Sequence, residues 1–436
     1  MIKSQKIHIC VAGLGTIGSN LIDILDKDHQ LIYKKTNIDF NILGISAKNI
    51  SKKRIFDINN YQWIDDPFEL VKNNKCDIFI ELIGEEKGIS FDLVKKALEN
   101  HIHVITANKA MLSKYGNELF KIAEKNNVLL LFEAAIAGGI PIVKVIKQSI
   151  FLNKIRKISG ILNGTTNFIL SEMENKKLGF EEVLKKAQQN GYAEINPAND
   201  VEGVDSAHKL SLLSTLCFGS KINFNNVTYK GISNIDIEDI KNAEKLGYKI
   251  KLISESEIVD NKIMSVVEPR LISNKSQLAN IDGVLNGVKI ETDHLQSLVL
   301  KGEGAGGKAT SSSILSDLYE IAQNTNSPSL GYATNKLIDY KKLDLSNISE
   351  SYYLRILVKD ISGVLAKITS NLNEEGISIE TILQTPDKNS SHEQIPIIIV
   401  THETTKKFLR NALTKIKKLD FVLGNIAVIT IDKSIN

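Results

Sequence analysis

The chain has 436 residues, 42% hydrophobic and 24% charged, a balance that suits about two to four folded domains and excludes a disordered polymer. Lys and Arg number 54 against 51 Asp and Glu, a net charge of +3, so charge gives no argument for nucleic-acid binding. Cys10, Cys76 and Cys217 show no metal-ligand spacing and are expected as reduced, buried residues. No apolar stretch is long enough for a bilayer, and the short apolar run near the N-terminus lacks a cleavage site, so the expected compartment is the cytoplasm.

Residues 6–15 (KIHICVAGLG) form an apolar run that ends in glycines, as a strand buried in a parallel sheet does. Ile17, Leu21, Ile24 and Leu25 then recur at helical spacing. Gly13, Gly15, Thr16, Ile17 and Gly18 therefore occupy a strand-to-helix turn, the setting in which GxGxxG cradles a dinucleotide pyrophosphate on free N–H groups. Without that setting the motif would be only a structural turn. Residues 40–46 read as the second strand. An acid at its end would bind a ribose hydroxyl, but Asp39 stands at the wrong end, and Lys48 and Ser51-Lys52-Lys53-Arg54 follow instead. This favours NADP over NAD; the other reading of these residues is a solvated basic loop.

Strands are expected at 76–84, 101–109 and 128–139, separated by helices at 89–99 and 111–125. Alternation of this kind predicts a doubly wound, Rossmann-like α/β sheet with its ligand at the carboxyl ends of the strands, near Gly84, residues 106–109 and residues 133–139. Residues 163–167 (NGTTN) precede an apolar helical pattern and are richer in polar groups than capping requires. Residues 180–189 read as a helix, 191–197 as a turn, and about 200–217 as a further helix. Asp205 and Lys209 lie four apart on one face of that helix; by spacing alone they are an ordinary surface ion pair. His208 adjoins Lys209 but points about 100° away. Gly302, Gly304, Gly306 and Gly307 form a loop before a helix at 312–323.

Residues 325–348 are polar and irregular. Beyond them, strands at 352–358, 377–384, 395–401 and 427–431 and helices at 363–374 and 404–419, the second basic and amphipathic, give the order βαββαβ of a ferredoxin-like unit.

Six segments occur in the order seen in one family: GLGTIG (13–18), TANKA (106–110), EAAIAGGIPIV (133–143), GILNGTTNFIL (160–170), GYAEINPANDVEGVDSAHKL (191–210) and GEGAGGKATSSSILSDL (302–318). On these residues the chain resembles the homoserine dehydrogenase family, and residues 359–365 (KDISGVL) resemble the ACT domain family. The resemblance implies NADP- or NAD-dependent interconversion of L-aspartate 4-semialdehyde and L-homoserine, a step toward threonine and methionine. It implies Lys209 as proton donor, with Lys109, near nicotinamide and substrate, as second candidate. It places Asp205 and Glu194 at acidic substrate positions, Tyr192 and Asp200 in the substrate-binding loop, and Gly191 and Gly306 toward the cofactor. It puts a monovalent cation such as sodium at Glu133 with the carbonyls of Ile136, Gly138 and Ile140.

The expected organisation is a dinucleotide-binding domain at 1–135, completed by about 305–325, and an α+β substrate and dimerisation domain at 136–304. A linker at 326–350 and an ACT domain at 351–436 follow, with L-threonine as effector and a homo-oligomer as assembly. Two other readings stand beside it: another ACT-linked NAD(P) dehydrogenase, for which the Asp205–Lys209 helix would be idle, and a non-enzymatic nucleotide and amino-acid sensor, which would need an output surface.

Overall fold

In the computed structural model, which describes residues 5–72, 75–324, 327–384 and 394–433, the glycine-rich turn follows the first strand, Gln5–Ala12. Five parallel strands lie in the order Ile38–Ser46, Gln5–Ala12, Ile78–Glu81, His103–Thr106, Leu130–Leu131. The two-residue alternation of the first strand decides its faces. Ile7, Ile9 and Val11 share a core with Leu21 and Leu25 of helix Thr16–Lys27 and with Ile314 and Leu318 of helix Gly307–Ala322. Cys10 and Ala12 join the opposite core, with Leu93 of helix Ile89–Glu99 and Leu119 of helix Lys109–Lys125. Helices on both faces make this the doubly wound sheet expected. Helix Gly307–Ala322 arrives from almost 300 residues away in sequence and closes one of those faces.

The strand expected at 128–139 is much shorter. Only Leu130–Leu131 pairs with the sheet, and a 3₁₀ turn at Glu133–Ala135 takes the chain away. The buried Glu133 carboxylate accepts N–H bonds from Val143 (2.8 Å) and Lys144 (2.9 Å), which folds the segment back on itself. The helix expected from about 200 is also divided, into Ala198–Val201 and Val204–Phe218, with Gly203 between them at φ +83°. Its second part is not half-exposed: every residue from Asp205 to Cys217 is buried.

That helix lies against a second, mixed sheet. Its strands run in the order Ser297–Glu303, Leu285–Thr292, Ile155–Ile161, Tyr248–Val259, Lys262–Ser273, Val422–Asp432, Ser349–Lys359, Gln394–Thr401 and Ile379–Gln384. The last four of these, with helices Val364–Glu374 and Lys406–Ile416, give the βαββαβ unit. It does not hang apart but extends the second sheet: Thr430–Asp432 pair in parallel with Arg270–Ile272. Tyr353 and Arg355 reach across to the buried Asp239, Arg355 through two bonds of 2.6 and 2.9 Å. The stretch before this unit is irregular but not loose, since Leu330 and Leu337 are buried and Lys341–Lys342 pair with Lys262–Ile263. The three cysteines are buried and free, as expected. Among the described residues no helix is long and apolar enough to cross a membrane.

Candidate active site

The carboxyl end of the parallel sheet is built around close backbone approaches. Gly13 has φ +99°, and a Cβ there would sit 2.3 Å from the Leu82 carbonyl group. At Gly18 a Cβ would meet the Gly13 oxygen at 2.1 Å, so helix and turn touch without side chains between them. Gly15 is different: nothing lies within 4 Å of the place its Cβ would occupy. An open cradle at the start of helix Thr16–Lys27, with unpaired N–H groups and the positive end of the helix dipole, fits a pyrophosphate. Gly306 begins the neighbouring helix Gly307–Ala322, also beside open space. Ser311 Oγ donates to the Ile17 carbonyl (3.2 Å), and Gly307 lies against Thr16 and Asn20. Thus Gly13, Gly15, Thr16, Ile17, Gly18 and Gly306 are brought together from the two ends of the catalytic core.

Beside this turn, sequence reasoning missed Glu81, the last residue of strand Ile78–Glu81, whose surface is fully buried. It accepts from the N–H groups of Ile83 (2.9 Å) and Gly84 (3.1 Å) and from Thr106 Oγ1 (2.6 Å). One carboxylate therefore ties together the loops that end two adjacent strands. Asn108 caps helix Lys109–Lys125 through Met111 N–H and donates to the Glu85 carbonyl at 2.7 Å. The first residue of the capped helix is Lys109, so its ammonium is aimed from a rigid base.

Lys109 Nζ lies 3.2 Å from Asp205 Oδ1, and Lys209 Nζ lies 2.7 Å from Asp205 Oδ2. Lys209 also donates to the Leu162 carbonyl at 2.7 Å. An ammonium has three N–H donors; two are committed here, which leaves one for a ligand. The Asp205 and Lys209 side chains keep only 10% and 9% of their surface, so the surface-pair reading fails. Burial alone would raise the Asp205 carboxyl, but the ammonium groups of Lys209 and Lys109 outweigh it and hold the group well below the carboxylate range. In return, the Asp205 charge raises Lys109. Asp200 is pushed up by burial and by the neighbouring Asp205 charge.

Asn163 joins these acids. It caps helix Gly164–Lys176 by accepting from Thr166 N–H, and its amide donates to Asp200 (2.7 Å) and Asp205 (3.0 Å). The signal for it was present in the excess of polar groups at 163–167, but spacing could not say which acids the amide would meet.

The remaining predicted residues form the rim. Gly191 follows helix Phe180–Gln189 and opens the loop that carries Tyr192. The Tyr192 carbonyl accepts from Thr165 Oγ1 (2.6 Å), and its ring lies 4.9 Å from Phe168. Gln188 holds the Glu194 carbonyl at 3.1 Å; the Glu194 side chain is exposed, and its charge acts on Lys109. His208 is turned away from this cluster: it bonds to Ser113 (2.6 Å), stacks on Phe224 and is pushed down to about 4 by burial. Around Glu133, the carboxylate is already engaged by two N–H groups, the Gly138 carbonyl accepts from Ser313 Oγ (2.5 Å) and the Ile140 carbonyl from Ile142 N–H (2.8 Å). Each Glu133 oxygen accepts one N–H bond, so the carboxylate and the backbone oxygens both keep lone pairs there for a cation.

A dinucleotide cradle and a lysine–aspartate–lysine cluster whose Lys109 follows a strand of the same parallel sheet, with a ferredoxin-like unit joined edge to edge, define a nicotinamide-dependent dehydrogenase with an attached regulatory module. Comparison with known proteins gives the family. Residues 13–133 match the model described as homoserine dehydrogenase, NAD binding domain, residues 141–319 the homoserine dehydrogenase model, and residues 352–421 the ACT domain model. The chain is 38% identical to a homoserine dehydrogenase of Neisseria gonorrhoeae, over 98% of this chain and 99% of that one. It is 36% identical to that of Pseudomonas aeruginosa, over 99% of both. The crystal structure of a Thiobacillus denitrificans homoserine dehydrogenase superposes with a TM-score of 0.92 at 36% identity, covering 99% of each chain. The chain belongs to the homoserine dehydrogenase family, whose members are oxidoreductases that act on a CH–OH group with NAD(P).

Proposed function

We propose that the Lys209–Asp205–Lys109 cluster carries out the proton chemistry of interconverting L-homoserine and L-aspartate 4-semialdehyde. The observation that carries this reading is two ammonium groups on one buried carboxylate, at 2.7 and 3.2 Å. The nicotinamide, when bound, supplies or accepts the hydride. In the reducing direction negative charge grows on the aldehyde oxygen. Lys209, with its free N–H, stabilises that charge and delivers the proton; in oxidation it takes the proton back. Asp205 holds Lys209 in place at 2.7 Å. Lys109 stands as the alternative donor. Asp200, Glu194 and Tyr192 line the side where a cationic substrate amino group would be held.

The supporting experiment follows NADPH formation by absorbance with homoserine and NADP. Lys209→Ala retains cofactor binding and loses turnover by about 10²–10⁴-fold, the range for a positioned acid or base. Turnover of that variant within tenfold of the parent removes the assignment.

The cradle is read as preferring NADP, since strand Ile38–Ser46 ends without an acid and exposed Lys48, Lys52 and Lys53 follow. Arg54 donates to the carbonyls of Asn49, Ile50 and Lys52 and so shapes this loop, with two of its five N–H donors left over. A monovalent cation such as sodium is assigned to Glu133 with the carbonyls of Ile136, Gly138 and Ile140. L-threonine is assigned to the turn at residues 359–365, where Gly363 precedes helix Val364–Glu374 and Asp360 is exposed. Asp360→Ala then abolishes threonine inhibition and leaves uninhibited turnover intact; unchanged inhibition refutes it. A homo-oligomer is assigned to the substrate domain, where strand Ser297–Glu303 is a free sheet edge, and a sedimentation experiment that finds only monomer refutes it. The cytoplasm is assigned on the three buried free thiols; a fluorescent fusion found outside it refutes the assignment.

A further inference from the structure

We propose that the cleft between the C-terminal unit and the substrate sheet binds a phosphorylated small molecule of nucleotide size. The cleft has a volume of about 1160 Å³, ample for a ligand of that class. None of its walls comes from the parallel sheet, the catalytic helix or the turn at 359–365. It is a separate place from both the active site and the assigned threonine site.

The cleft collects positive charge from three parts of the chain. Lys230 comes from the substrate domain, Lys342 from the connecting segment, and Lys407, Arg410 and Lys417 from helix Lys406–Ile416 and its end. This accounts for the basic amphipathic pattern of that helix, which the catalytic reading leaves unused: Ala412 and Ile416 face the ferredoxin-like core while the cations face the cleft. The lining contains a single acid, Asp344, and its carboxylate is held by Ser346 through the N–H (2.9 Å) and the hydroxyl (2.7 Å). Lys230 and Lys417 spend one hydrogen bond each on Val428 O and Asn425 Oδ1. Among the described residues Lys407 and Arg410 make no ion pair within 4 Å, although, after the Ser346 bonds, the Arg410 charge helps to lower the Asp344 carboxyl. The chain as a whole is close to neutral, with a net charge of +3, so this concentration is local.

The ligand class follows from the shape of the lining. A guanidinium fork with ammonium groups around it matches phosphate oxygens. Leu345, Leu413, Ile426 and Val428 supply an apolar floor for a ring. A phosphate with an attached base uses both; a bare inorganic anion uses only the rim.

ADP titrated calorimetrically into the full chain tests the site, in the parent and with the cofactor cradle blocked by Gly15→Val. The paired substitutions Lys407→Glu and Arg410→Glu, both on exposed side chains, are added to each. They are expected to remove one bound ADP per chain in both backgrounds. In the parent background they leave the KM for NADP, the turnover of homoserine and the melting temperature unchanged. Affinity at this site should also fall as salt is raised. The same ADP stoichiometry with and without the charge reversals overturns the proposal. So does equal affinity for inorganic pyrophosphate, which would mean that the apolar floor takes no part.

Discussion

Asp205→Asn isolates the charge on which the active site turns, because it keeps the shape of the side chain. In the parent, Asp205 faces Lys209 at 2.7 Å and Lys109 at 3.2 Å. A unit-charge pair at 4 Å is worth about 4 kcal/mol at an effective dielectric of 20. The two contacts do not count equally. Lys109 keeps 40% of its side-chain surface and can return to water, whereas Lys209 keeps 9% and cannot. Removing one partner of a buried pair costs about 3–5 kcal/mol, and an amide oxygen still accepts from Lys209, so about 3 kcal/mol is expected.

The pH dependence has a definite sign. Asp205 is held below its unfolded value, so its contribution is complete above about pH 4 and is lost as pH falls through the folded value. Urea melts should therefore separate parent and variant at pH 7, with a gap that begins to narrow below about pH 4 and closes only once pH has passed below the folded value. In the same variant Lys109 loses the charge that raises it, so its titration moves to lower pH. Turnover should fall about a hundredfold with the KM for NADP unchanged. An equal stability gap at pH 7 and pH 3, or turnover within tenfold of the parent, would refute the reasoning.

Asn163→Ala removes a helix cap and the donor shared by two acids; it should cost about 1–2 kcal/mol in a thermal melt and lower kcat/KM for homoserine without changing the KM for NADP. Gly15→Val and Gly13→Ala should differ in kind: the first enters open space, keeps the melting temperature and weakens NADP binding, while the second collides with the Leu82 carbonyl at 2.3 Å and lowers the melting temperature as well. His208, folded near 4 against about 6.5 when unfolded, contributes stability above pH 6.5 that is lost toward pH 4, up to about 3 kcal/mol; His208→Gln should flatten the melting temperature across that range. Asp239→Asn leaves Arg355 without a charged partner, and limited proteolysis should then release the C-terminal unit faster, the loss being about 3–5 kcal/mol.

Much of the architecture is written in local pattern. The strand, glycine turn and helix at 6–25, the helix at 180–189 and the βαββαβ order beyond residue 349 all follow from hydrophobic period and turn chemistry, which act between near neighbours. Residues 220–300 gave no such reading, although they contain the long strands Tyr248–Val259 and Lys262–Ser273. Several of their inward positions hold Lys251, Glu255, Glu268 and Arg270, buried as partners of one another or of distant groups, so alternation of polar and apolar residues is blurred. The residues proposed for catalysis could be named from motifs, but their state could not. Asp205 and Lys209 as sequence neighbours are an ordinary surface pair. They become a desolvated cluster only because Lys109 and Asn163 approach from other elements and the second sheet shuts out water. The joining of the C-terminal unit through Thr430–Asp432 is likewise invisible in the chain. An edge-to-edge register depends on which backbone groups are left unpaired after both sheets have formed, and charge strength on how much water the fold removes. Both are properties of the assembled whole.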